Sequence, residues 1–204
     1  MSAIRSSAWR SRRKSGGFVS LEVVIITPLL ALILLGFAEL YMYMRAVSTV
    51  EHMAFVLADS LGQRNQVYDT NATTDPDDLG SIWNAAWLLS SPLALQTNGG
   101  VIISSICDTN SSCTPPSFTT ATASGTPYLV WTRKSSTNIS TTLTAKALLP
   151  STWPFRAGDS AIVVEVFYSY KPLIWAMAPM TTMIYKRVVV YPRTGKSLPL
   201  KTAS

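Results

Sequence analysis

Between Val23 and Met44 the chain carries 22 consecutive residues with one acid, Glu39, and no base. No other feature limits the fold as much. Counted to Ala38, just before that acid, the uncharged stretch is 16 residues long. The two lengths bracket the roughly 20 residues that a helix needs to cross about 30 Å of hydrocarbon. A helix closes its own backbone hydrogen bonds, so it is one of the few structures such a segment can adopt in lipid. Glu22 and Glu39 are roughly 25 Å apart along a helix rising about 1.5 Å per residue, which places them toward opposite faces of a bilayer. Arg45 then marks the far interface. Pro28 is tolerated in a membrane helix, either as a plain kink or as a bending point.

The charge pattern orients the segment. Arg5, Arg10, Arg12, Arg13 and Lys14 precede it with no acid among residues 1–17. Without them, the chain's 12 other basic residues nearly balance its 11 acids, so the net charge of +6 belongs to the leader. Basic flanks stay on the cytoplasmic side, which puts the C-terminal part outside. The balance after residue 17 leaves no basic face for nucleic acid. A cleaved secretory signal fits poorly: its apolar core is about 7–15 residues and ends in small residues, whereas this run is longer and Glu39 to Val47 has no such cut.

The junction from Arg12 to Glu22 reads R-R-K-S-G-G-F-V-S-L-E. Gly17, Phe18 and Glu22 have the form of a type III prepilin signal, in which a Gly precedes the cut and a Glu stands at the fifth mature position. The wider stretch resembles the TadE-like family of minor pilins, or pseudopilins, of the tight-adherence (Flp) pilus. Gly17, Glu22, Pro28, Gly36 and Glu39 carry the likeness, and Gly158, Asp159 and Tyr170 to Pro172 add to it. Phe18 departs from the small first mature residue common in that family and is similar to other type IV pilins and secretion pseudopilins.

The resemblance implies an inner-membrane prepilin peptidase that cuts between Gly17 and Phe18. It implies a bacterial inner-membrane protein with a cytoplasmic N-terminus and a periplasmic C-terminal domain, and other pilins, pilus assembly proteins and the lipid bilayer as partners. Glu22 is then the assembly carboxylate: among apolar helices an unpaired carboxylate is costly, and a freed amine can pair with it. As a plain flank it would sit solvated among headgroups. Two further functions stand beside this one: an uncleaved envelope anchor whose periplasmic domain binds a partner, and a minor pseudopilin of a secretion system.

The expected fold class is α+β, with a long N-terminal transmembrane helix continuing into an antiparallel-sheet extracytoplasmic domain. The expected division is a leader over 1–17, a membrane and assembly helix over 18–62, and the domain over 63–204. Val47, Val50, Ala54, Leu57 and Leu61 recur at helical spacing, and Gly62 ends the helix. Asp75-Pro76-Asp77-Asp78 reads as a helix start with a capping Asp and Pro at the first position. That helix runs to about Leu89 and buries Ile82, Trp83, Ala86 and Leu89. A Ca-binding loop would need a Gly and a distant bidentate Glu that are missing here. Strands are expected over 101–106, 128–133, 139–145, 161–170 and 183–191, where Val, Ile, Thr and Tyr dominate; in the fourth, Ile162, Val164, Val166, Tyr168 and Tyr170 share one side.

Three features remain. Cys107 and Cys113 can form a short-loop disulfide if the domain is exported, with two free thiols as the alternative; two Cys and one His cannot make a four-ligand zinc site. Residues 109–126 read as a loop. Leu173, Ile174 and Trp175 lie in an apolar connection that folds under the sheet or forms a contact patch for another subunit or the bilayer surface. His52 is the only histidine and lacks a nucleophile motif, so neither an enzyme nor a cofactor is expected.

Overall fold

The computed structural model describes residues 16–109, 124–145, 147–172 and 182–202. In chain order its elements are helix α1 (Gly16–Gly62), strand β1 (Val67–Tyr68), helix α2 (Leu79–Leu89), a short helix α3 (Leu95–Asn98), and strands β2 (Gly99–Asp108), β3 (Pro127–Lys134), β4 (Ser160–Tyr170), β5 (Thr182–Val190) and β6 (Leu200–Lys201). The chain thus mixes helix and antiparallel sheet behind one long N-terminal helix. It divides into two units between Tyr41 and Met42.

The first unit holds the apolar part of α1. Every residue from Leu21 to Leu35 is exposed, and Phe37 is 66% exposed. A window of this helix has a mean hydropathy of 2.5 and is 0% buried, which makes it long and apolar enough to cross a membrane. The helix continues unbroken through Pro28, which can offer no N–H to the carbonyl four residues back. One residue earlier, the Thr27 hydroxyl donates to the Val23 carbonyl at 2.7 Å.

In the second unit, four strands lie in the order β3-β2-β4-β5, all antiparallel. Ile103 pairs Val164, which pairs Val188. The face bearing Val101, Ile103, Ile162, Val164, Val166, Tyr168 and Tyr170 packs against Val50, Met53, Ala54, Leu57 and Leu61 of α1, with Ile82, Trp83 and Ala86 of α2. The spacing read in the sequence is therefore the packing face, joined by Met53 and Ala58. Each larger buried side chain stabilises by roughly 1.5–3 kcal/mol. Trp131 Nε1 donates to the Leu198 carbonyl at 2.7 Å, tying the C-terminal tail to the sheet.

The opposite face is covered by the connection between β3 and β4. Leu148 packs with Ile106, Ala161 and Val163, and Ile139 packs with Ile102 and Phe167. Strand β4 is consequently buried on both sides and reads as a nearly continuous apolar run, as doubly covered strands do.

Two sequence expectations need correction, and one ladder went unread. Residues 139–145 form no strand; only a bridge between Thr144 and Ala147 is present. Their β-propensity reflects a half-buried extended path across the sheet face, which needs no ladder partner. Helix α2 starts at Leu79 rather than near Pro76, because the Asp78 carboxylate turns back to accept from the Asp75 N–H (3.0 Å) and the Thr74 hydroxyl (3.3 Å), closing a turn before the helix. Finally, β1 and β6 pair in parallel, Val67 with Leu200, a two-residue ladder too short to leave a pattern.

Candidate functional site

The candidate site is the start of α1. Gly16 and Gly17 open the helix and Phe18 follows in its first turn. Glycine is about 1 kcal/mol poorer than alanine in a helix, and helix ends fray, so this turn opens at little cost to give an extended backbone. Glu22 lies on the exposed apolar segment. Glu39 is half-buried and has a partner. From Leu21 to Tyr41 the large exposed side chains include Val24, Ile25, Leu29, Ile33 and Phe37, a continuous apolar surface far beyond the few hundred Å² that water-soluble monomers expose. Such a helix requires cover by lipid or by other helices.

Beyond Tyr41 the pattern changes. Ala46 is 1% exposed and Val50 fully buried, so α1 meets its own sheet from there on. Two ion pairs join its exposed flank to the sheet edge and the following turn: Glu51 with Lys186, and Asp59 with Arg193, each at 3.1 Å. Exposed pairs of this kind stabilise by about 1 kcal/mol at most.

The other candidates lie apart from this region. Cys107 is buried on β2 and disulfide-bonded; Cys113, the chain's only other cysteine, lies outside the described residues. So do Leu173, Ile174 and Trp175, and residues 110–123 of the loop after β2. His52 is exposed, and its neighbour Glu51 is engaged by Lys186. The Asp75–Asp78 turn is internally satisfied: Asp75 accepts from the Asp77 N–H at 2.8 Å, and Asp77 pairs with Arg64. Among the described residues no group of three His, Cys, Asp or Glu side chains is placed to hold a metal.

Two polar constellations are visible only in the fold. Asp69 receives the Arg133 guanidinium, whose Nε lies 3.0 Å from both carboxylate oxygens. That hydrogen bonding holds the Asp69 carboxyl below its usual range. On the covered face of β4, Glu165 is fully buried. Its carboxylate accepts from the Thr142 N–H at 3.1 Å, the Tyr185 hydroxyl at 2.9 Å and the hydroxyls of Thr141 and Thr142. Burial raises the Tyr185 phenol above its ordinary pKa. Beside it, Arg187 donates to the Leu148 carbonyl. An acid in an otherwise apolar strand is the signal that could have located this cluster, because a buried carboxylate demands donors.

No known family, no characterised protein and no solved structure matches this chain.

Proposed function

We propose that this chain is a minor pilin or pseudopilin of a tight-adherence pilus, anchored in the bacterial inner membrane by α1, its C-terminal domain in the periplasm, and processed by a prepilin peptidase after Gly17. The observation that carries the reading is the conjunction at the start of α1. A leader with five cations and no acid is followed by Gly17, Glu22 and an apolar helix whose residues from Leu21 to Leu35 are all exposed. A helix in water could not keep that surface uncovered. A plain anchor has no use for an acid at its edge, whereas a subunit that exchanges lipid for neighbouring helices uses one carboxylate to set register against a freed amine. In this reading the sheet and the second half of α1 form the head that travels with the subunit. The same features also serve a minor pseudopilin of a secretion system, which differs only in its apparatus.

Co-expression with a prepilin peptidase, followed by intact-mass analysis of the membrane-extracted chain, tests it. The expected product lacks the leader and begins at Phe18; a bulky residue at Gly17 slows the cut, and Glu22→Ala leaves insertion intact but abolishes assembly. Recovery of only full-length chain in the presence of an active peptidase refutes the processing, and normal pili with Glu22→Ala refute the role of the carboxylate.

A further inference from the structure

A groove of about 400 Å³ lies where the second half of α1 meets the turn after α2 and the end of β4. Met42, Leu93 and Tyr168 contribute an apolar lining, and Arg45 and Lys171 contribute its charge. Its lining includes no acid. Both cations are exposed, and neither belongs to an ion pair among the described residues. This sets them apart from Arg64, Arg133, Lys186 and Arg193, each of which is matched to a carboxylate. Beside the groove Tyr43 meets Tyr170 edge-to-face, with ring centroids 5.3 Å apart, which fixes this end of β4 against α1. Arg45 directly follows Met44, the last residue of the apolar run and itself exposed.

We infer that this groove binds the headgroup of an anionic phospholipid, with Arg45 and Lys171 on the phosphate and the apolar lining against the first part of an acyl chain. The inference rests on the membrane reading above. Charge complementarity favours this occupant: a surface with two unmatched cations, no acid and an apolar floor suits a molecule that is anionic at one end and greasy at the other. A free anion would gain nothing from the floor, and an apolar segment would leave the cations unanswered. Bound there, the lipid would fix the depth of the chain in the outer headgroup layer and would have to leave when the subunit moves out of the bilayer.

The test uses the purified full chain in neutral detergent. It is titrated with phosphatidylglycerol or with phosphatidylcholine of the same acyl chains, and bound lipid is counted by native mass spectrometry. Near a surface each matched cation is worth about a fivefold preference, so the pair gives roughly 25-fold for the anionic lipid. Arg45→Gln with Lys171→Gln should bring that preference down to about twofold. The charge-keeping pair Arg45→Lys and Lys171→Arg should retain it, as should Lys196→Gln at a remote exposed cation. Equal retention of both lipids by the wild type, or an unchanged preference in the double Gln variant, overturns the inference. So does displacement by millimolar inorganic phosphate, which would make the site one for free anions, and so does a loss of self-association with lipid preference intact, which would assign the groove to a second copy. Extraction of cell membranes with alkaline carbonate separates the two claims: a chain released into the soluble fraction sinks the anchor itself, whereas a chain that stays without lipid preference sinks only the groove.

Discussion

Replacing Glu165 by alanine is the sharpest test of how the head is held together. The side chain is fully buried on the central strand and accepts four hydrogen bonds, three of them from the crossing segment at Thr141 and Thr142 and one from Tyr185. Hydrogen bonds to a charged group contribute about 1.5–3 kcal/mol each, but a truncated partner costs less where its former donors can reach water. Thr142 and Tyr185 are exposed, so their groups rehydrate; Thr141 is half-buried and loses more. The carboxylate's own desolvation, several kcal/mol, is also relieved when it is removed. The balance, with a small cavity added, is a loss of about 3 kcal/mol. For a folded unit of this size that corresponds to a drop of roughly 6–12 °C in Tm. Glu165→Gln keeps the shape and one good acceptor, and should cost about 1–2 kcal/mol. Thermal and urea unfolding of the full chain in mild detergent give both values. Amide exchange adds a local readout: the Thr142 N–H, whose acceptor is this carboxylate, should exchange much faster in the alanine variant than Ile103 does in its ladder. If alanine unfolds within about 0.5 kcal/mol of the wild type, the range of ordinary surface changes, the carboxylate does not pin the segment and the reasoning fails.

Two further outcomes follow from the same framework. Burial raises the phenol pKa values of Tyr168, Tyr185 and Tyr191; a raised folded value keeps its full stabilisation below the unfolded value of about 10 and loses it as pH climbs through the folded one. Stability should therefore be flat through neutral pH and fall above about pH 10, and a spectrophotometric titration should show part of the phenol signal ionising only above the ordinary value of about 10; a signal with no such late component refutes the packing. Gly99 opens β2 with its backbone against β4, and a Cβ there would lie 2.1 Å from the Phe167 carbonyl oxygen. Gly99→Ala should cost about 3 kcal/mol or more as the ladder shifts, whereas Gly36→Ala, which meets nothing within 4 Å, should leave the fold unchanged in circular dichroism and urea titration.

Much of this fold was legible because two periodicities dominate it. The helical recurrence of Val50, Ala54, Leu57 and Leu61 and the alternation of Ile162, Val164 and Val166 each place one face against the other, and in the structure those two faces meet. Sequence reasoning failed where polar chemistry replaced pattern. Residues 139–145 have the composition of a strand, yet Ile139 is spent as a peg on Phe167 and the two threonines on Glu165. A single charge in β4 announces that demand, but nothing in the sequence says which segment meets it. Likewise Asp78 has the residue type of a helix cap, and its carboxylate is used on the preceding turn instead. The start of α1 was legible as a string of residue types, and the role proposed for it rests on those types.

The functional reading therefore turns on what covers α1 before Tyr41. Lipid and neighbouring helices both satisfy exposed leucines, isoleucines and valines, because between two apolar surroundings there is no hydrophobic preference to decide the matter. The polar and irregular positions decide it. A carboxylate at the hydrocarbon edge can turn toward headgroup water in a bilayer, but inside a bundle of helices it must find a cation or be neutralised. In the proposed reading Glu22 distinguishes the two states, and the leader controls access to the one in which it is matched. While the chain still carries its basic leader, position 18 is a peptide bond and offers no charge. Cutting after Gly17 would create an amine on Phe18, four positions or about one helical turn from that carboxylate. On this argument processing does more than shorten the chain: it supplies the counter-charge that makes leaving the bilayer energetically possible. An uncut chain should then insert normally and remain in the membrane even with every other assembly component present.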